Sequence, residues 1–286
     1  MLSLTEKEKE NALNEVRILA SIEHPNIISY KQAFIDEDSS SLCIVMEYAD
    51  AGDAYQLMWN LKNHDNMFSE EDIWRILIQT VKGLQQLHIN NIMHRDLKSA
   101  NIFLFSDGSV KLGDLNVSKV MNKGWEYTQT GTPYYASPEV WKDQPYNLKS
   151  DIWSLGWVMY ELIWQHPPFE ANSMDELYKT VIKGKFAPIP DFYTSSLQQI
   201  IESLIKLSPS KRPTCKIILK DPAVERWSMK LFGNENKNKN ATLSDSMRNK
   251  TPGHTKLTNE LLKTIKNCKN FKSLASMLPK PKYNIK

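Results

Sequence analysis

Residues 91–104, NIMHRDLKSANIFL, place three side chains of complementary chemistry close together. Asp96 offers a carboxylate, Lys98 an ammonium group and Asn101 an amide oxygen, and a second carboxylate follows at Asp114. Carboxylate and amide oxygens suit Mg²⁺, a carboxylate can accept a proton from a hydroxyl, and an ammonium group can stabilise developing phosphate charge. These are the groups that phosphoryl transfer requires.

A predicted β-hairpin brings the two oxygen ligands together. Strands at 101–105 and 110–114 flank Asp107-Gly108, a dipeptide that favours a two-residue turn because that turn needs positive φ. In the resulting register Asn101 faces Asp114 at the open end of the hairpin. The alternative is a hairpin whose polar end simply faces water, but the carboxylate and ammonium group just upstream favour the catalytic interpretation.

The surrounding elements predict a small strand-bearing lobe and a larger helical lobe. Apolar spacing predicts a helix over 10–22, and two strands are predicted over 26–36 and 40–49. Ser69 caps a further helix. Later helices are predicted over 151–164, about 174–183 and about 195–207. A little β structure followed by mostly α predicts an α+β fold with two lobes.

The overall composition is typical of a globular protein, with 41% apolar and 24% charged residues and a net charge of +3. The three cysteines are widely separated, which argues against a disulfide framework or a zinc site and favours a reducing compartment.

The N-terminal MLSLTEKEKE has charges where a signal peptide needs an apolar run. The most apolar stretch, 152–164, is too short to span a membrane and contains Glu161. We therefore expect a cytoplasmic or nuclear protein.

Charge divides the chain near Gly233. Residues 233–286 contain 12 of the 36 Lys+Arg residues and 3 of the 33 Asp+Glu residues, so this segment is basic. Residues 1–232 contain the other 24 Lys+Arg and 30 Asp+Glu residues and are acidic. Residues 233–256 have the composition of a disordered segment. Residues 257–278 regain apolar spacing and predict either a short basic helix that docks on the acidic domain or on a partner, or a solvated tail. The basic residues are spread out, which argues against membrane or nucleic-acid contact.

Several motifs in order resemble those of one known family. HRDLKSAN resembles the catalytic loop of protein kinases. ASPE (136–139) is similar to the APE element of kinases, and SDIWSLG (150–156) to the buried helix that follows it. KRP (211–213) is similar to the segment that carries a late arginine, which in kinases pairs with the residue at the position of Glu139. GTPYYASPEVW, ALNEVRILASIEHPNII and IVMEYADAGD are similar to segments of the NIMA-related (Nek) kinases.

The resemblance implies a bilobal protein-kinase-like fold and the extent of its parts. The kinase domain would cover residues 1–232, with 1–49 as an incomplete small β lobe and 50–232 as a complete, mostly helical large lobe. The basic tail would follow over 233–286. The activity implied is transfer of the γ-phosphate of ATP to Ser or Thr hydroxyls of protein substrates, with Mg²⁺ as the metal cofactor.

The resemblance also implies catalytic roles. Asp96 would orient the substrate hydroxyl and act as its base. Lys98 would contact the γ-phosphate, and its presence indicates Ser/Thr rather than Tyr as acceptor. Asn101 and Asp114 would hold Mg²⁺.

The adenine-binding residues follow from the same resemblance. Met46 would be the gatekeeper, Glu47 and Ala49 would offer hinge backbone to adenine, and Phe103 would form the floor of the pocket.

Further residues would regulate or position the site. A phosphate on Thr128 would pair with Arg95 and order the activation loop. Thr132 would bond near Asp96 and help to shape the peptide site. Asp151 would fix the backbone of the catalytic loop, cap its own helix, or do both.

Two departures from the kinase pattern stand out. No GxGxxG loop and no third-strand lysine occur, although Glu15 lies on the apolar stripe of the first helix where kinases pair it with that lysine. The alternative is that Glu15 turns to solvent. The usual DFG element reads Asp114-Leu115-Asn116, which keeps the metal ligand and replaces glycine by a residue that tolerates left-handed backbone.

We therefore expect an N-terminally shortened kinase that binds ATP weakly and transfers little phosphate. The main alternative is a catalytically silent, kinase-like scaffold that binds partners through its helical lobe. A small-molecule phosphotransferase is a third reading, against which GTPYYASPE argues because that segment builds a peptide platform in protein kinases.

Overall fold

Two units make up the chain, one of Met1–Tyr48 with Asn240–Lys286 and the other of Ala49–Lys239. The computed structural model describes residues 6–36, 41–115, 119–120, 133–167, 169, 171–240 and 278–282. Each unit is built around elements that the apolar pattern of the sequence indicates.

In the first unit a helix is followed by an antiparallel strand pair. Helix α1 spans Glu6–Ser21, strand β1 spans Tyr30–Asp36 and strand β2 spans Ser41–Met46. The helix ends before His24-Pro25, since a residue that precedes proline disfavours helical backbone. The helix and both strands confirm the elements predicted from the sequence.

The second unit is mostly helical. Its helices are α2 Ala54–Asn63, α3 Glu70–Ile89, α4 Pro138–Trp141, α5 Lys149–Trp164, α6 Met174–Lys183, α7 Ser195–Leu204, α8 Cys215–Leu219 and α9 Pro222–Asn240. The predicted cap at Ser69 is confirmed, because its Oγ accepts a hydrogen bond from the backbone N–H of Asp72 at 3.1 Å.

Helices α3 and α5 form the centre of the second unit. Most side chains of α5 are buried, including Trp153 and Trp157, as expected of a helix that is apolar on all sides. Trp164, at the end of α5, is only half-buried. Helix α9 adds to this core by stacking Trp227 on Trp74 of α3, with ring centroids 5.9 Å apart.

The hairpin of the second unit forms, but in a different register from the predicted one. Strand β3 (Ile92–Met93) pairs with β6 (Lys119–Val120), and β4 (Ile102–Leu104) pairs with β5 (Val110–Leu112). Ile102 lies opposite Leu112, so the register is shifted by one residue.

The shift arises at the turn. Gly108 has φ +81° and its N–H donates to Phe105 O at 3.0 Å, which makes a three-residue loop closed by a left-handed glycine rather than the expected two-residue turn. The N–H of Gly113 consequently bonds to Asn101 O, at 3.1 Å. The prediction that Asn101 pairs with Asp114 across the hairpin is therefore wrong.

Gln79 of α3 holds the hairpin against the helix. Its amide nitrogen donates to Gly108 O at 3.0 Å, and its amide oxygen accepts from Val110 N at 3.1 Å. A buried side chain thus satisfies backbone groups on both sides of the turn.

Helix α9 continues through Gly233 to Asn240, so the first residues of the predicted tail (233–286) are helical. Most of the possible helix over 257–278 lies outside the described residues. No helix in the described part of the chain is both long and apolar enough to cross a membrane.

Gly156 in α5 offers a test of this packing. A Cβ there would lie 2.6 Å from Ile205 Cγ1 and 2.8 Å from Leu204 Cβ. We expect Gly156→Ala to lower the free energy of unfolding by roughly 1–3 kcal/mol through overpacking. Gly233→Ala in α9 is the matched control, because among the described residues no atom beyond the neighbouring residues and the backbone of its own helix lies within 4 Å of the added Cβ. Urea denaturation measures both, and an equal or higher stability of Gly156→Ala would contradict the packing described.

Candidate active site

One buried carboxylate holds the backbone that precedes Asp96. Asp151 lies in the first turn of α5, and its Oδ2 accepts from His94 N and its Oδ1 from Arg95 N, each at 3.0 Å. His88 of α3 places its Nε2 2.9 Å from Asp151 Oδ2. The carboxylate therefore joins α3, α5 and the loop after β3.

Of the two roles expected for Asp151, the structure shows that of fixing the loop. Helix α5 begins at Lys149 and its N-cap is Leu148, so the N-cap prediction for Asp151 is wrong. Burial by itself would raise the pKa of Asp151. The hydrogen bond and charge of His88, with the N–H of Arg95, outweigh it and lower the pKa below its ordinary value. The buried side chain therefore stays an ionised acceptor at neutral pH.

Two residues of the site have left-handed backbone. Arg95 has φ +72° and Asp114 has φ +52°. Such a conformation costs non-glycine residues about 1–3 kcal/mol and persists only where surrounding contacts enforce it. The bond from Arg95 N to the buried carboxylate of Asp151 is such a contact.

His94 links the loop to the end of the hairpin. Its side chain is fully buried, and its Nε2 lies 3.1 Å from Gly113 O, next to Asp114. Burial lowers the pKa of His94, so the ring is neutral and donates from Nε2 to the carbonyl. The position of Asp114 is thereby tied to that of the loop.

The three chemical groups of the opening motif converge. Lys98 Nζ donates to Asp96 Oδ2 at 2.7 Å, and Asn101 Nδ2 donates to Asp96 O at 2.8 Å. Asp96 Oδ2 also lies 3.4 Å from Asn101 Nδ2. Because the amide nitrogen of Asn101 is the atom that donates, its oxygen is the atom that could coordinate a cation.

Asp114 completes the set with a buried acceptor. Its Oδ1 is buried and has no hydrogen-bond partner within the described part of the chain. A buried carboxylate oxygen without a donor is costly unless a cation satisfies it. The residues present thus fit a hard divalent cation such as Mg²⁺.

The remaining predicted nucleotide-binding residues belong to different parts of the chain. Glu15 lies on α1 and Glu47 directly follows β2, both in the first unit. The N–H of Glu47 donates to Ser29 O at 3.0 Å, and its Oε1 accepts from Ser29 N at 2.6 Å. Ala49 and the half-buried Phe103 of β4 belong to the second unit. Met46 ends β2 and is 43% exposed.

The predicted regulatory residues are described only in part. Arg95 donates from Nη2 to Tyr146 Oη at 2.9 Å. Thr128 and Thr132 lie outside the described residues, as does Asn116. Pairing of Arg95 with a phosphate on Thr128 stays a prediction.

A buried ion pair fixes the segment that follows residue 132. Arg212 donates from Nη1 and Nη2 to the two carboxylate oxygens of Glu139, at 2.6 and 2.7 Å. Both side chains are almost fully buried. Burial by itself raises the pKa of Glu139, but the hydrogen bonds and charge of Arg212 lower it overall. This pair is the one that the resemblance implied.

Several residues that shape the site carry no local signal in the sequence. His88 and Tyr146 lie far from the loop along the chain but bond to it in space. Tyr135 donates to both carboxylate oxygens of Glu161, at 3.0 and 3.1 Å. In the sequence Glu161 is only a charged residue within an apolar run. That position indicates a buried carboxylate that needs a hydrogen-bond partner, but it does not predict that the partner is Tyr135.

Comparison with known proteins identifies the relatives of this arrangement. A family model described as "Protein kinase domain" matches residues 2–224. Over 227 residues the chain is 44% identical to the serine/threonine-protein kinase Nek5 of Mus musculus. The aligned segment covers 78% of this chain and 35% of that protein.

Two further relatives agree. The chain is 38% identical over 252 residues to the G2-specific protein kinase nimA of Emericella nidulans, with 78% of this chain and 36% of that protein covered. It is 38% identical over 229 residues to Nek2 of Homo sapiens, with 78% and 52% covered. The chain thus spans about a third to a half of these relatives.

Removal of the guanidinium of Arg212 should be among the most damaging single changes. We expect Arg212→Ala to lower the free energy of unfolding by roughly 3–5 kcal/mol, because it leaves the Glu139 carboxylate buried without its partner. Lys230→Ala is the control, since Lys230 pairs with Glu71 at the surface and such pairs contribute about 0–1 kcal/mol. Chemical denaturation compares the two, and similar losses would contradict the account.

The lowered pKa of Glu139 predicts a pH dependence of known sign. A depressed folded pKa adds stability above the unfolded pKa, near 4.5, and this stability is lost as pH falls through the folded value. The difference in unfolding free energy between the wild type and Glu139→Gln should therefore be largest at neutral pH and shrink below pH 4.5. Urea titrations across this range measure the difference, and a constant difference would exclude the linkage.

Proposed function

The chain belongs to the protein kinase family, as a serine/threonine kinase domain related to the Nek kinases, and from this premise we propose that it transfers the γ-phosphate of ATP to Ser or Thr hydroxyls of protein substrates. The α+β kinase fold expected from the sequence agrees with this membership. The observation that carries the proposal is the convergence of Asp96, Lys98 and Asn101, with the orphaned oxygen of Asp114 on the loop beside them.

Asp96 is proposed as the base. Its side chain is 13% exposed, so it is accessible to a substrate hydroxyl yet partly shielded from water. Lys98 Nζ donates to Asp96 Oδ2 at 2.7 Å and orients the carboxylate. The same ammonium group would contact the γ-phosphate and stabilise the charge that develops as the hydroxyl attacks.

Asn101 and Asp114 are proposed to hold Mg²⁺. The Asn101 oxygen and the buried Oδ1 of Asp114 are hard ligands of the right chemistry, and the second has no competing donor among the described residues. Bound Mg²⁺ would neutralise charge on the ATP phosphates. In this chain His94 and Asp151 do the positioning, through Gly113 and the loop backbone.

A protein substrate fits the segment after residue 132 best. Tyr135 is anchored to Glu161, and Ser154 donates to Tyr135 O at 3.0 Å. The Glu139–Arg212 pair fixes the next turn. A rigid surface beside a catalytic loop suits recognition of an extended peptide, and this supports protein Ser/Thr acceptors over a small molecule.

The place in the cell is also proposed. Cys43 and Cys215 are free thiols in the described part of the chain, and this supports a reducing compartment such as the cytoplasm or nucleus.

The test is transfer of radiolabelled phosphate from Mg·ATP to peptides that differ only in a Ser, Thr or Tyr acceptor. We expect faster transfer to Ser and Thr peptides than to the Tyr peptide, because Lys98 of the catalytic loop indicates a Ser or Thr acceptor. Asp96→Asn should lower that rate by about 10²–10⁴-fold, because it removes the base.

Asp191→Asn, at an exposed carboxylate away from the loop, is the control and should leave the rate unchanged. A rate for Asp96→Asn equal to that of the wild type would contradict the proposed base. No transfer by the wild type to any peptide, with Mg·ATP bound, would favour the silent scaffold.

A further inference from the structure

The first unit carries an unusual feature at the start of strand β1. The ladder between β1 and β2 pairs Tyr30 with Met46 and Gln32 with Val45, so Lys31 is an extra residue without a partner on β2. This is a β-bulge, which leaves backbone groups of the extra residue outside the ladder. Its carbonyl needs another donor.

That donor comes from residues 278–282, Leu-Pro-Lys-Pro-Lys. The N–H of Lys282 donates to Lys31 O at 2.8 Å. Tyr30, only 1% exposed, donates its hydroxyl to Pro279 O at 3.0 Å. Lys282 Nζ lies 2.8 Å from Glu23 Oε1, just after the end of α1. Three contacts therefore fasten five residues to the connection between α1 and β1.

The sequence of this segment suits such docking. Proline fixes φ near −65° and restricts the residue before it to extended backbone, so Pro279 and Pro281 preorganise the segment before it binds. Less conformational entropy is lost on docking than for a flexible peptide. The prolines lack N–H groups, and the N–H of Lys282, which follows Pro281, donates to the bulge.

Charge favours the same pairing. Met1–Tyr48 contains nine Asp+Glu and four Lys+Arg, whereas Asn240–Lys286 contains ten Lys+Arg and two Asp+Glu. The acidic part of the unit therefore attracts the basic segment before contact. Because both lie on one chain, docking is an intramolecular step, and its effective concentration depends on the length of the chain that joins them.

We propose that Tyr30, the Lys31 bulge and Glu23 form a docking surface for a proline-spaced basic segment, and that residues 278–282 of the same chain are its occupant. The docked segment clamps the α1–β1 connection and raises the stability of the first unit. This inference concerns the first unit alone and does not depend on the proposed transfer of phosphate.

Hydrogen exchange on the full chain, followed by mass spectrometry, tests the proposal. We expect the Lys282 amide to exchange at least about tenfold more slowly than an unstructured amide, because it is hydrogen-bonded. Lys282→Pro removes this donor together with the ammonium group that pairs with Glu23, and it should accelerate exchange across Tyr30–Asp36 by at least about fivefold, the factor that corresponds to the hydrogen bond alone. Lys280→Pro is the matched control and should leave β1 exchange unchanged.

A second pair of variants tests the other side of the contact. Tyr30→Phe should accelerate exchange of residues 278–282, whereas Tyr48→Phe should not, because Tyr48 is 85% exposed and lies in the same unit. Exchange of the wild-type Lys282 amide at the unprotected rate would overturn the proposal. Equal β1 exchange in the Lys280→Pro and Lys282→Pro variants would do so as well.

Discussion

The carboxylate of Asp151 is the interaction on which the rest of the site depends. It is 2% exposed, and it accepts hydrogen bonds from the backbone of His94 and Arg95 and from the ring of His88. A buried charge is tolerated only when donors replace its lost hydration. Because two of the donors are backbone groups, the carboxylate fixes the path of the chain itself, and Asp96 is the next residue along that path.

The first turn of α5 holds a second segment in the same way. Lys149 O accepts from Arg212, and Ser150 Oγ donates to Glu139 Oε1 at 2.7 Å. Asp151 comes next and holds the catalytic loop. Three consecutive residues at the N-terminal end of one helix thus position both the loop and the segment around Glu139. The positive end of the helix dipole also favours a carboxylate at Asp151.

The two lowered pKa values have the same physical origin. In Asp151 and Glu139, burial disfavours the charged form, and hydrogen bonds with a cationic or polarised partner reverse the effect. His94 shows the opposite outcome, since burial keeps it neutral and able to donate to Gly113. The site is therefore built from groups whose protonation is set by their surroundings.

The sequence predicted the elements well because apolar spacing and capping residues are local signals. The cap at Ser69 and the end of α1 before His24-Pro25 are examples. The hairpin register was wrong because Asp-Gly is compatible with both a two-residue and a three-residue loop, and the choice rests on whether Gly108 alone takes positive φ. In the observed register the N–H of Gly113 bonds to Asn101 O, and Asp114 follows as the next residue.

Long-range partners could not be predicted from local pattern. The contacts of Asp151 with His88 and of Arg95 with Tyr146 join residues more than fifty positions apart. The catalytic loop was recognisable because its reactive groups lie within a few residues of each other. The position of Asp114 came instead from its left-handed backbone and from the bond between His94 and Gly113.

We expect Asn101 and Asp114, placed by the Asp151-anchored loop, to share one divalent cation beside Asp96. The most direct measurement is a crystal structure with Mn²⁺ and a non-hydrolysable ATP analogue, with the ion located by its anomalous scattering. One ion bonded to oxygens of both side chains, at about 2.0–2.2 Å, is the expected result. An ion bound elsewhere, or bound by only one of the two residues, would contradict it.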